Sequence, residues 1–167
     1  MRGSDLSALC VLVLLAAFTA CSDSTGPGAD LVVTVSTSAR AISPGQALQI
    51  HLEVRNTGER ADSIVAPGPD CPLLWRIDGP GGVYAGPNGA LAADGSHCTG
   101  LHPGPIHLGA GEAVGITYVW TGQRGSLGVD HDLPLGRYWI RAATQPAADI
   151  DRLIESKRVA VDLVASH

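Results

Sequence analysis

"LQIHLEVRN", residues Leu48–Asn56, decides the fold. Leu48, Ile50, Leu52 and Val54 alternate with Gln49, His51, Glu53 and Arg55. A period of two puts the four apolar side chains on one face of an extended strand and the four polar ones on the other. Working outward, "LVVTVST" (Leu31–Thr37) reads as a preceding strand rich in β-branched residues, and "DSIVA" (Asp62–Ala66) as a following one. "LLWRID" (Leu73–Asp78) is a further strand, and short strand pieces fall at Val83–Tyr84 and Ile106–Leu108. Beyond them, Val114, Ile116, Tyr118 and Trp120 share one phase. "PLGRYWIRAAT" (Pro134–Thr144) alternates again, and Val159, Val161 and Leu163 close in phase. "AISPGQ" (Ala41–Gln46) and "NTGE" (Asn56–Glu59) are turns, and "QRGSLGVDHDL" is a loop. "PAADIDRLIES" spaces Ile150, Leu153 and Ile154 as a short helix or packed loop would.

With 21 glycines, 11 prolines and only 16% charged residues, this pattern describes turn-separated strands. The expectation is an all-β, Ig-like antiparallel β-sandwich of about seven to nine strands in one domain over residues 31–167. It is Ig-like in architecture alone, since the Cys…Trp…Cys spacing of immunoglobulin domains is missing. A Gly/Pro-rich excursion, residues 79–105, interrupts the strands.

Residues 1–20 have a different character. Arg2 is followed by "ALCVLVLLAAF" (Ala8–Phe18), too short for a membrane-spanning helix, which needs about 20 residues. A charged start, a short apolar core and small residues before a cleavage point describe a secretory signal peptide, here expected as an N-terminal signal helix. "FTAC" (Phe18–Cys21) resembles the bacterial lipoprotein signal. That resemblance implies cleavage before Cys21, palmitate and related acyl chains on Cys21, and a membrane anchor in the bacterial cell envelope. The small, polar "SDSTGPGAD" that follows suits a flexible tether over residues 21–30. Ser22 favours the outer membrane by likeness to known sorting rules. The alternative is a soluble secreted protein cut elsewhere, with Cys21 a spare thiol.

Export leaves the cysteines few roles. Cys10 departs with the signal and Cys21 takes the lipid, so Cys71 and Cys98 remain as a pair in an oxidising compartment. A disulfide between them would close a loop of about 28 residues, which the chain-entropy model values at roughly 3–4 kcal/mol. Losing Arg2 and Asp5 keeps the net charge at −5, and no basic stretch tracks phosphates, so nucleic acid is not an expected partner.

The runs "LQIHLEVRNTGERADSIV", "LLWRIDGPGGVYAG", "LGAGEAVGITYVWTG" and "LPLGRYWIRAATQ" together resemble the bacterial intracellular proteinase inhibitor domain, the BsuPI type. Asn56 and Gly58, Trp75, Gly111 and Glu112, Trp120, Gly136 and Tyr138 carry the likeness, over about residues 47–145. It implies a sandwich fold and, as an alternative function, proteinase inhibition. It implies no inhibitory residues, because no reactive loop aligns. This chain also differs in its export signal, its cysteine-bearing excursion and its added first and last strands.

No residue set specifies catalysis or a cofactor. Ser96 and His97 are sequence neighbours, poor geometry for a nucleophile and its base, and no nucleophile elbow or phosphate-cradling loop occurs. Glu53, Asp78 and Glu112 are scattered as surface charges are. His97, Cys98, His102 and His107 lie close in sequence but fit no zinc spacing, and Asp130 with Asp132 supply too few oxygens for calcium. Trp75, Trp120 and Trp139 are three of only seven aromatic residues in the chain. Trp139 is out of phase with Tyr138 and Ile140, which makes it the candidate for contact with a partner. The leading expectation is therefore a membrane-anchored, non-enzymatic binding module that meets another protein, a protease among the candidates. Contact would run through the loop around Cys71–Cys98 or an exposed sheet edge. A small metal-dependent or hydrolytic enzyme is the third reading.

Overall fold

A computed structural model describes residues 30–68, 71–85, 104–126 and 129–166. The signal helix, Cys21 with its tether, Cys98 and most of the 79–105 excursion lie outside the described residues. The described chain forms strands β1 (Leu31–Thr37), β2 (Ala41–Ile42), β3 (Leu48–Asn56), β4 (Asp62–Ala66), β5 (Leu74–Gly79), β6 (Gly82–Ala85), β7 (Gly104–Leu108), β8 (Ala113–Trp120), β9 (Gln123–Ser126), β10 (Val129–Asp132), β11 (Gly136–Pro146), β12 (Ile154–Glu155) and β13 (Val159–Leu163).

Two sheets pack face to face. The smaller runs β1-β3-β8, all antiparallel. The larger runs β2-β13-β11-β4-β7, with β5 and β12 also on β11 and β6 on β5. Register follows from the period-two pattern. Val54 faces Val33 and Val114, Leu52 faces Val35 and Ile116, and Ile50 faces Tyr118. Leu48, Ile50, Leu52 and Val54 are wholly buried, each contributing about 1.5–3 kcal/mol by leaving water. Slipping β3 by one residue would bury Gln49, His51, Glu53 and Arg55 instead, so the apolar set locks the pairing.

Aromatic rings tie the sheets together. Trp75 of β5 stacks on Tyr118 of β8 at 4.6 Å between centroids, and Trp120 of β8 meets Tyr138 of β11 at 5.2 Å. The Tyr138 hydroxyl donates to the carbonyl of Pro134 at 2.6 Å, a tyrosine corner at the entry to β11. Gly79 permits this packing, because a Cβ there would lie 2.2 Å from the Tyr138 ring.

Three sequence expectations change. Strands number thirteen among the described residues rather than seven to nine, the surplus being short pieces of two to four residues. "QRGSLGVDHDL" was expected to be a loop; it contains the β9–β10 hairpin, whose backbone pairing needs no apolar alternation. "PAADIDRLIES" contains no helix. Asp149 N–H bonds to Pro146 O and Arg152 N–H to Asp149 O as successive turns, and β12 then pairs with β11. Ile150 and Leu153 stay exposed, so the helical spacing meets no surface that would bury it.

Candidate interaction surface on the outer face of β11

The same alternation that buries Tyr138, Ile140 and Ala142 turns Arg137, Trp139 and Arg141 outward. β13 lies along one edge of β11 and β5 along the other, so this outer face is a broad sheet surface. Trp139 pairs with Ala160 on one side and with Asp78 on the other. Its side chain is 39% exposed, whereas Trp75 and Trp120 are 4% and 6% exposed.

Charge pairs surround the indole. Arg137 grips Asp162 across β13 with two parallel bonds, Nε to Oδ1 at 2.8 Å and Nη2 to Oδ2 at 3.0 Å. This fork hydrogen bond holds the Asp162 carboxyl below, and the Arg137 guanidinium above, its ordinary pKa. Arg76 meets Asp78 within β5 at 2.9 Å, and Arg141 bridges Asp78 at 3.6 Å and Glu155 of β12 at 3.2 Å. A shallow depression of about 180 Å³ opens beside these charges, walled by Leu74, Arg76, Arg141, Ala143, Leu153 and Glu155. The result is an exposed aromatic plate among carboxylates and guanidinium groups that already have partners. Such a plate can be covered by a protein surface without stranding an unpaired charge.

The opposite outer face, on the smaller sheet, has no such ring. There His51 Nδ1 lies 3.0 Å from Thr117 Oγ1 across β3 and β8, Arg55 pairs with Glu53 at 3.1 Å, and Val32 and Val119 are partly exposed.

The other predicted positions fall apart from this surface. Cys71 is buried, its sulfur receiving the Tyr118 hydroxyl at 3.6 Å and its N–H bonding Gly68 O. Cys98, its expected disulfide partner, lies outside the described residues. His107 Nδ1 sits 2.7 Å from Ser63 Oγ as a cross-strand pair of β4 and β7; His97 and His102 lie outside the described residues. Asp132 accepts a bond from Gln123 Nε2 at 2.9 Å. Among the described residues no three His, Cys, Asp or Glu side chains converge on a point that could hold a metal.

Most residues behind the proteinase-inhibitor resemblance prove to be structural. Asn56 is fully buried. Its Nδ2 donates to Arg60 O at 2.7 Å and to Leu108 O and Gly109 O at 3.1 Å, and its Oδ1 receives Gly58 N–H at 3.0 Å. Glu112 closes the turn before β8 by accepting Gly109 N–H at 2.6 Å, with Gly111 at φ 74°. Sequence reading did not find the charged ladder. Its members alternate correctly within "WRID", "RYWIRA" and "VAVDL", but only the register of β5, β11 and β13 brings them together.

No protein-family model matches this chain, and no curated protein does. Solved structures match this chain at low identity. A Pseudomonas fluorescens alkylpurine DNA glycosylase bound to DNA containing an abasic site analogue is 13% identical, with a TM-score of 0.46 over 84% of this chain and 32% of its own. A sporulation control protein from Bacillus subtilis is 14% identical, with a TM-score of 0.43 over 83% of this chain and 50% of its own. The CARDB domain of a Pyrococcus furiosus protein in complex with di-metal ions is 15% identical, with a TM-score of 0.44 over 81% and 88%. This chain thus spans about a third of the glycosylase chain and half of the sporulation protein.

Proposed function

We propose that this chain is a membrane-anchored β-sandwich binding module of the bacterial envelope, carried on a lipid at Cys21 and meeting a protein partner through the outer face of β11. The observation that carries the contact surface is Trp139, an exposed indole at the centre of a ladder of satisfied ion pairs. Aromatic side chains ringed by polar groups supply most of the binding energy in protein interfaces. The anchor draws support from the apolar segment Ala8–Phe18, "FTAC" and the polar tether after it. The Cys71–Cys98 cross-link belongs to the same proposal, since it would tie the excursion to the sheet beside Tyr118.

A photo-crosslinking residue placed at Trp139 in the native host tests the surface. A discrete protein adduct from position 139, with none from Val32 on the opposite face, is the expected outcome. No adduct, or the same adducts from both positions, would sink it. The inhibitor resemblance makes a protease the first partner to try. Stoichiometric inhibition of a subtilisin-like or trypsin-like enzyme by the mature chain would name the partner class, and its absence would leave a non-protease partner.

A further inference from the structure

A second surface adjoins the Trp139 plate at Ala160, but its charged side chains are cations alone. The connection from β1 to β2 and the start of β13 enclose an open depression of about 600 Å³. Its walls include Thr37, Ser38, Arg40, Arg158 and Ala160, and none of its lining residues is acidic. In a chain of net charge −5 this is a local inversion of sign.

The two arginines contrast with four others on the surface. Arg55, Arg76, Arg137 and Arg141 each hold a carboxylate. Arg40 and Arg158 make no side-chain hydrogen bond or ion pair among the described residues, and the neighbouring Asp162 carboxylate is occupied by the Arg137 fork. The floor beneath them is pinned. Asp162 N–H bonds Arg40 O at 2.8 Å, Ser38 N–H bonds Gln49 O at 3.0 Å, and Thr37 Oγ1 donates to Ala39 O at 2.9 Å. Ser38 Oγ accepts from Gln49 N–H at 3.0 Å.

Unpaired guanidinium groups beside a serine hydroxyl, on a hydrogen-bonded floor without acids, match the needs of a phosphate oxyanion. The volume falls in the range of small-molecule sites and far exceeds what phosphate alone would fill. The apolar part of the lining is small, Ala39, Val159 and Ala160, with no ring for a base to stack on and no long slot for an acyl chain. The body of the ligand is therefore polar.

We propose that this depression binds a phosphomonoester on a polyhydroxylated body, a sugar phosphate in free form or the headgroup of a phosphorylated lipid. Calorimetric titration of the full chain in detergent with glucose 1-phosphate, inorganic phosphate and glucose tests it. Glucose 1-phosphate should bind with a Kd of about 1 mM or tighter. It should weaken about tenfold or more in Arg40→Gln/Arg158→Gln, stay unchanged in Arg60→Gln, and exceed phosphate; glucose should give no heat. The lipid source is separated by flotation with phosphatidylcholine vesicles with and without phosphatidylinositol 4-phosphate. Extra binding to phosphatidylinositol 4-phosphate that the double variant loses, without glucose 1-phosphate binding, assigns the site to a headgroup. No binding in either arm, or equal loss in Arg60→Gln, overturns the proposal. Circular dichroism and thermal unfolding of the double variant keep a folding defect from being read as a binding one.

Discussion

Asn56 is a fully buried polar hub of the fold. One buried amide satisfies three carbonyls and a backbone N–H, joining the end of β3 to the turn before β4 and the strand end at Leu108. Asn56→Ala strands the buried Leu108 carbonyl and two part-buried ones, and a buried orphan costs about 1–3 kcal/mol. We expect a loss of about 2–4 kcal/mol in urea unfolding, and a change below about 0.5 kcal/mol would contradict the hub. The tryptophans separate in the same experiment. Trp75→Ala opens a cavity against Tyr118 and should cost about 3–5 kcal/mol, while Trp139→Ala should stay within about 1 kcal/mol of the parent. At this scale the sequence showed where Asn56 stands but not why. "NTG" is an ordinary turn until Leu108 and Gly109, more than fifty residues on, come within reach. The phase of Trp139 against Tyr138, by contrast, was readable outright, because alternation alone assigns a strand residue its face.

The strand with strict alternation was legible to the residue: Leu48–Asn56 is bounded in the structure as the pattern predicts, and the short run Asp62–Ala66 keeps its expected bounds as well. Elements held by backbone pairing alone were not. β9 and β10 lack an apolar phase, and β2 is two residues whose identity as a strand depends on parallel pairing with the distant β13. The ladder on β5, β11 and β13 was hidden for the same reason, since register is a relation between segments. The Arg137–Asp162 fork spans β11 and β13, and its acid response has a definite sign. The Asp162 carboxyl is depressed in the folded chain, chiefly by the Arg137 hydrogen bond. Its contribution is therefore complete above the unfolded aspartate pKa of about 4 and fades as pH falls through the folded value. Asp162→Asn should be less stable than the parent at pH 7, and the gap should close below about pH 4 in parallel unfolding curves. A gap independent of pH would mean that the fork adds nothing through its charge.

For the whole molecule, the proposed anchor and cross-link make separable demands. Cys21→Ala should move the protein from the membrane fraction to the soluble envelope fraction, and persistence on the membrane would remove the anchor from the proposal. Peptide mapping without reductant should recover Cys71 and Cys98 in one fragment; two free thiols in envelope-purified protein would remove the cross-link. The parallel clasp of β13 between β2 and β11 also sets an order of events. A strand drawn from residues 159–163 fills the gap between those from residues 41–42 and 136–146, so the larger sheet is complete only after residue 163 has joined it. Until β13 docks, β2 has no neighbour in the larger sheet and the edge of β11 over residues 136–140 stays bare.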